Sequence, residues 1–195
     1  MSFKVLNSDK KLQAYIIGIA LGDGNLSNPN KRAVRLRISC DTHYPLLIKY
    51  IIKSLKLLLP RNKIGIVGRK STCVDISIYS NSLPKLLGWK WNAGPKDKQN
   101  VRVPAWIKTK PKYTKECLRG LFQTDGCIYK DRGYAMVSFV NTSSNLAYDA
   151  FKMMNGLDYH PHMQEFKQKN GKIKYTVRLS KNTLKFIEEI NLWKK

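Results

Sequence analysis

The sequence predicts an α+β fold built from two equivalent halves, and three observations carry that prediction. A short apolar run ending in Asp-Gly occurs twice, as YIIGIALGDGNL over 15–26 and CLRGLFQTDGCI over 117–128, which sets Asp23 and Asp125 102 residues apart in a chain of 195. Asn81-Ser82-Leu83 matches Asn182-Thr183-Leu184 at an offset of 101, and Trp89-Lys90 matches Trp193-Lys194 at 104. Signals that stay in register along the whole chain indicate a duplicated unit rather than a solenoid, which needs at least three repeats. The halves are expected at 1–90 and 112–195, joined by a linker over 91–111 whose sequence is rich in Lys, Pro and Gly.

The first element is the run from Tyr15 to Leu21. Nearly every position in it is apolar, so as a helix it has no wet face and belongs in the middle of the molecule. Gly18 and Gly22 lie one turn apart and form a notch, and Gly120 with Thr124 gives the second Asp-Gly helix the same notch. Glycine inside a helix costs about 1 kcal/mol against alanine, so these positions point to close approach of another backbone. The two helices are expected to pack on each other in parallel, near a pseudo-twofold axis, with Asp23 and Asp125 side by side. The glycine after each aspartate is expected to take a left-handed helix stop.

Next comes a strand over 34–39, where Arg35 and Arg37 alternate with Val34, Leu36 and Ile38. A helix follows from about Pro45 to Leu59, with Lys49, Lys53 and Lys56 on one solvent stripe. IGIVGRK and CVDISIY read as two strands around a turn at Lys70 to Thr72, and NSLPKLLGW as a short closing helix. The second half repeats the order: a strand at YAMVSFV, a helix from about Ser143 to Asn155, a hairpin of HMQEFKQ and KIKYTVRL around Asn170-Gly171, and a last helix at NTLKFIEEI.

With 43% hydrophobic residues the chain can bury a substantial core. Its 36 Lys and Arg against 13 Asp and Glu give a formal charge of +23, which calls for a polyanionic partner. Nucleic acid leads. A membrane surface ranks second, because the charge is spread along the chain and not gathered on one amphipathic helix. No apolar run reaches the roughly 18 residues of a membrane span, and the N-terminus lacks the apolar core of a secretory signal, so a soluble, intracellular protein is expected. Cys40, Cys73, Cys117 and Cys127 form no CxxC pair and read as buried thiols; His43, His160 and His162 are too scattered for a metal cluster and read as turn or surface positions.

One Asp-Gly is an ordinary helix stop. Two, at the ends of adjacent parallel helices, place carboxylates against the negative ends of two helix dipoles and against each other. A divalent cation offsets that repulsion, and Mg²⁺ suits it best, since Mg²⁺ takes one or two carboxylates and fills its shell with water and phosphate oxygens.

IIGIALGDG (Ile16–Gly24) and LRGLFQTDG (Leu118–Gly126) resemble the nine-residue motif of the LAGLIDADG homing endonucleases in their single-chain, two-motif form. Leu21 and Gln123 depart from it, standing where the family name has its first Asp. The resemblance implies two αββαββα halves joined through the motif helices, each presenting a saddle-shaped antiparallel sheet to double-stranded DNA. It also implies a monomeric, metal-dependent nuclease that cuts both strands of a long asymmetric target across the minor groove, leaving short 3′ overhangs. The implied metal ligands are Asp23, Asp125 and the carbonyls of Gly22 and Thr124, with Mn²⁺ or Ca²⁺ able to occupy the Mg²⁺ sites. A basic residue near the active site is implied too. Lys98 is chosen for it, with Lys96 and Arg102 as competitors. Arg35, Arg37, Lys70, Lys172, Lys174 and Arg178 are the expected DNA-binding side chains. Alternatives are an RNA maturase acting on its own intron, or a non-catalytic basic RNA-binding module. Members of the family are encoded in introns or inteins, which leaves an organellar or a prokaryotic setting open.

Overall fold

A computed structural model describes residues 6–69 and 72–194. The first half runs α1 (Lys10–Asp23), β1 (Gly24–Ser27), β2 (Arg35–Asp41), α2 (Pro45–Leu58), β3 (Ile64–Gly68), β4 (Cys73–Tyr79) and α3 (Leu83–Leu87). A 3-10 turn at Ala105–Thr109 leads into the second half: α4 (Pro111–Asp125), β5 (Gly126–Asp131), β6 (Tyr134–Asn141), α5 (Ser144–Asn155), β7 (His162–Lys167), β8 (Ile173–Leu179) and α6 (Thr183–Glu189). Each half is therefore αββαββα. The sheets have equivalent topologies, β1-β2-β4-β3 and β5-β6-β8-β7, with every pair antiparallel.

Helix α1 starts where the Asp9 side chain accepts the Lys11 and Leu12 amides, at 2.8 and 3.4 Å, satisfying donors that the first turn leaves free. From Gln13 to Leu21 every residue is buried. Burying side chains such as Ile16, Ile17, Ile19 and Leu21 contributes about 1.5–3 kcal/mol each. Helix α4 starts at Pro111, whose missing amide costs nothing at the first helical position.

The two helices meet backbone to backbone. A Cβ added to Gly18 would lie 2.3 Å from the Cys117 carbonyl oxygen, and one added to Gly120 would lie 2.6 Å from the Tyr15 carbonyl oxygen and 2.7 Å from the Ile19 nitrogen. On Gly22 it would lie 2.0 Å from Thr124 Oγ1. The notch read from the sequence is thus filled by the partner helix. Polar groups seal the same interface: the Tyr15 hydroxyl donates to Gln123 Oε1 at 2.9 Å, and Gln123 Nε2 donates to the Trp193 carbonyl at 3.0 Å. The rings of Tyr15 and Tyr50 meet edge to face at 5.2 Å, and the Arg119 guanidinium packs against both, 4.6 and 5.3 Å from their centroids.

Several expectations are corrected. The chain becomes a strand directly after each aspartate, so β1 and β5 supply the first strands of the αββαββα order that the resemblance implies, at residues where the sequence pattern itself marks only a helix stop. Gly24 and Gly126 are extended, with φ of −82° and −92°, and not left-handed. Their glycine requirement is steric, since a Cβ would lie 2.4 Å from the Ala20 oxygen and 2.3 Å from the Phe122 oxygen where the strand folds back along its own helix. Cys40 and Cys117 are buried, whereas Cys127 is exposed on β5. The segment 91–111 between the halves is pinned to the second: Val101, Val103 and Ile107 are buried, and buried Asp149 on α5 accepts the Val103 amide at 2.8 Å and Lys108 Nζ at 3.0 Å.

The close approach has a measurable cost if disturbed. Gly120→Ala is expected to destabilise the protein by about 1–3 kcal/mol, because only backbone surrounds the new methyl and it must shift. Gly156→Ala meets nothing nearer than the Lys152 oxygen at 3.4 Å with φ at −67°, and should be neutral or stabilising by up to about 1 kcal/mol. Denaturant unfolding of both variants checks the contrast, and equal effects would refute it.

Candidate active site at the ends of the motif helices

Because α1 and α4 run parallel, both end at the same place. The Asp125 carboxylate lies only 3.3 Å from where a Cβ on Gly22 would be, so the end of one helix abuts the acidic residue of the other. The helix carbonyls left without amide partners point to this spot, as do the negative ends of both helix dipoles. Two lysines answer that concentration of negative potential. Lys96 Nζ donates to the carbonyls of Ala20, Leu21 and Gly22 at 3.2, 2.6 and 2.8 Å. Lys194 Nζ donates to those of Thr124 and Gly126 at 3.0 and 3.3 Å.

Lys96 therefore holds the position for which Lys98 was chosen. Lys98 is exposed, and Arg102 turns instead toward Asp149 at 3.8 Å. Lys194 was not foreseen, although the Trp-Lys echo pointed to it. By that echo its counterpart would be Lys90, which is exposed; Lys96 performs the equivalent task from a different place in the chain. Each lysine also lies against an aromatic ring, Lys96 over Trp89 at 5.6 Å and Lys194 over Tyr44 at 5.3 Å.

The two carboxylates sit in unequal surroundings. Crowding by protein pushes Asp23 up to about 6, with Asp125 adding repulsion and the two lysines pulling the other way. Asp125 is raised as well, chiefly by burial, but Asn141 Nδ2 donates to its Oδ2 at 2.7 Å and favours the charged form. In the first half the strand register pairs Gly24 with Ile38, and in the second Gly126 with Phe139, so the position equivalent to Asn141 is Cys40. Burial pushes the Cys40 thiol up to about 12, and it stays protonated. A cleft of about 200 Å³ opens beside Asp23, lined by Ser39, Cys40, Tyr44, Thr124 and Lys194 among others.

Among the described residues no three His, Cys, Asp or Glu side chains converge as a metal site. The donors at the helix ends are two carboxylates and a set of carbonyls already bonded to cationic groups, with the Cys40 thiol nearby held protonated by burial. Such a set fits a hard divalent cation that keeps water in its shell, and does not fit zinc.

Strand alternation divides each sheet into two faces. In the first, Leu36, Ile38, Ile76 and Ile78 point into the core, while Arg35 and Arg37 lie on the other face with Ser77 and Tyr79 opposite them. Asp75 orders that face: it accepts from Ser39 at 2.7 Å and from Arg69 Nε at 2.7 Å, with Arg37 at 3.9 Å. In the second sheet Val137, Phe139, Val177 and Leu179 are buried, and Lys174 and Arg178 share the open face with His162 and Gln164. Lys172 is not on a strand but in the hairpin turn, where its amide donates to Asn170 Oδ1 at 3.0 Å. Lys70 lies outside the described residues.

Comparisons with known proteins fall on the same two units. A family model described as a LAGLIDADG-like domain matches residues 112–191, and one described as a WhiA LAGLIDADG-like domain matches residues 12–74. The solved structure of I-DmoI in complex with DNA and Mn superposes with a TM-score of 0.69 at 18% identity, covering 93% of this chain and 96% of that one. The chain has the single-chain, two-motif LAGLIDADG fold. The N-terminal LAGLIDADG domain of DUF199/WhiA is also similar, with a TM-score of 0.60 at 15% identity over 97% of this chain and 87% of that one. In sequence, a DNA polymerase from Thermococcus sp. (strain GE8) is 29% identical over 150 residues, 71% of this chain but only 8% of the polymerase. Within the LAGLIDADG frame, Gln123 has a structural explanation: its side chain is consumed by bonds to Tyr15 and Trp193 and is not free for chemistry.

The raised Asp23 makes stability depend on pH with a defined sign. Between about pH 4 and 6 the folded chain keeps a proton that the unfolded chain has released, so stability falls as pH rises through that window. Asp23→Asn removes this contribution. In metal-free buffer its Tm should exceed that of the natural protein at pH 7, and the difference should shrink toward pH 4; a difference independent of pH in thermal melts would contradict the crowded setting of Asp23.

Proposed function

We propose that this protein is a monomeric homing endonuclease that makes a divalent-metal-dependent double-strand break at a specific site in duplex DNA, acting across the minor groove. The observation that carries this reading is the meeting of Asp23 and Asp125 at the ends of two parallel motif helices, each end also holding a lysine. Support for the substrate comes from neighbours of the same fold: structures of I-DmoI are described with DNA and Mn, with DNA and Ca, and with target DNA in the presence of Mg. Those likenesses are at 18% identity and bear on fold, so the chemistry rests on this chain's own residues.

In this reading Asp23 and Asp125, with the Gly22 and Thr124 carbonyls, hold the metal, Mg²⁺ in the cell. A bound divalent cation supplies Lewis acidity toward the scissile phosphate and the departing 3′ oxygen. Lys96 and Lys194 carry compact positive charge on flexible stems, suited to offsetting charge that builds on phosphate. Arg35, Arg37, Lys174 and Arg178 lie on the open sheet faces, where side chains can reach the backbone and base edges of a groove. Each aspartate serves mainly one strand. The partial match within a much longer polymerase fits an element carried inside another gene, as an intron or intein product.

Plasmid cleavage tests the reading. Asp23→Asn or Asp125→Asn should lower double-strand cleavage by at least about 10²-fold while leaving nicking of one strand, and the double variant should cut neither. Affinity for duplex should fall by about 10³–10⁵ between 50 and 200 mM salt if six to ten phosphates are contacted. Cutting by the double variant would refute the assignment, and tight binding of structured RNA without metal-dependent breaks would favour a maturase or RNA-binding role.

A further inference from the structure

Lys96 and Lys194 bond to the very oxygens that the proposed metal site requires. The Gly22 carbonyl accepts from Lys96 at 2.8 Å, and the Thr124 carbonyl accepts from Lys194 at 3.0 Å. A divalent cation takes such oxygens at about 2.0–2.6 Å along the same lone-pair directions. Ammonium and metal therefore compete for one place. The arrangement is repeated in both halves, each lysine lying in the segment that follows the last helix of its half, Lys96 after α3 and Lys194 after α6. The two are not in strict register, 98 residues apart against 102 for the aspartates, yet each ammonium reaches the carbonyls at its own helix end.

We infer that Lys96 and Lys194 are internal counter-cations that occupy the helix-end carbonyls of the DNA-free protein and yield them to divalent metal only when duplex phosphates draw the lysines away. The inference rests on the metal-site reading above and goes beyond it, because it makes metal loading conditional on DNA. Charge bookkeeping favours this. Two carboxylates and two ammoniums are mutually neutral, so a dication added to the DNA-free site leaves an excess positive charge in a crowded place within a chain of formal charge +23. Duplex phosphates supply the missing negative charge and give each ammonium a new partner. Lysine suits the exchange, since its charge is a point at the end of a four-carbon stem and its three donors need no fixed plane. The two placeholders are unequal: Lys96 bonds to carbonyls of Ala20, Leu21 and Gly22, with two bonds at 2.8 Å or less, whereas both Lys194 bonds are 3.0 Å or longer.

Calorimetric titration of the intact protein with Ca²⁺ tests this without reference to cleavage. DNA-free natural protein should bind Ca²⁺ at least tenfold more weakly than the Lys96→Met, Lys194→Met double variant, with each single variant between and Lys96→Met showing the larger gain. Lys98→Met removes the same charge two residues away, from an exposed position, and should bind like the natural protein. Adding an excess of duplex at low salt should raise the affinity of the natural protein toward that of the double variant. Equal Ca²⁺ affinity of the natural protein and the double variant, or an equal gain from Lys98→Met, overturns the inference while leaving the metal site intact. If Asp23→Asn, Asp125→Asn in the double-Met background leaves the Ca²⁺ binding unchanged, the metal-site reading falls together with it.

Discussion

The contact between the backbones of α1 and α4 is the constraint on which the remainder of the molecule depends. Helices packed through ordinary side chains have axes about 8–10 Å apart. Here Gly18 and Gly120 have no room for even a methyl group, so carbonyl and amide of one helix lie directly on the other. Both halves are organised around that line of contact. The apolar residues of α1 are buried all round because its own sheet, α4 and the flanking helices enclose it. The aspartates are neighbours only because the helices beneath them are in contact as far as Gly22 and Thr124.

Electrostatics follows from that packing. Bringing two helix C-termini together adds two dipole ends, unpaired carbonyls and two carboxylates in one small volume, and such a concentration needs cations. The chain supplies two from its own lysines and has oxygen donors suited to a metal. Around this acidic centre the surface is strongly basic, and the open face of the first sheet carries arginines braced by Asp75. A polyanion attracted to the basic surface brings its phosphates to the point where positive charge is in demand. The centre is not symmetric in detail, since Asn141 supports Asp125 where the first half offers Cys40 near Asp23.

Much of this was legible in one dimension. Periodicity found β2, β6 and the helices α2 and α5 nearly to their ends, since each alternates or repeats apolar residues against one core face. The duplicated small residues announced a close helix pair. What escaped were features defined by a partner elsewhere. Strand β1 is GNLS, four residues with no pattern of their own, and it exists because Asn25 and Leu26 pair with Arg37 and Leu36. Lys98 and Lys96 are equivalent as letters in a lysine-rich segment. The choice between them is made by how 91–111 is pinned, with Val101 and Val103 buried and Asp149 holding the Val103 amide, which leaves Lys96 facing the end of α1.

By itself the sequence determined the twofold plan, the identity of the two buried helices and the presence of an aspartate at the end of each, because hydrophobic period and glycine placement are local properties that survive without coordinates. Only the tertiary structure decided which cations meet those aspartates, why Gly24 and Gly126 must be glycine, and how the two carboxylates differ. The first depends on distances between residues some 70 positions apart, Lys96 to Gly22 and Lys194 to Thr124, and the others on how each strand folds back along its helix and what then faces the carboxylate, all set by packing that no local pattern encodes.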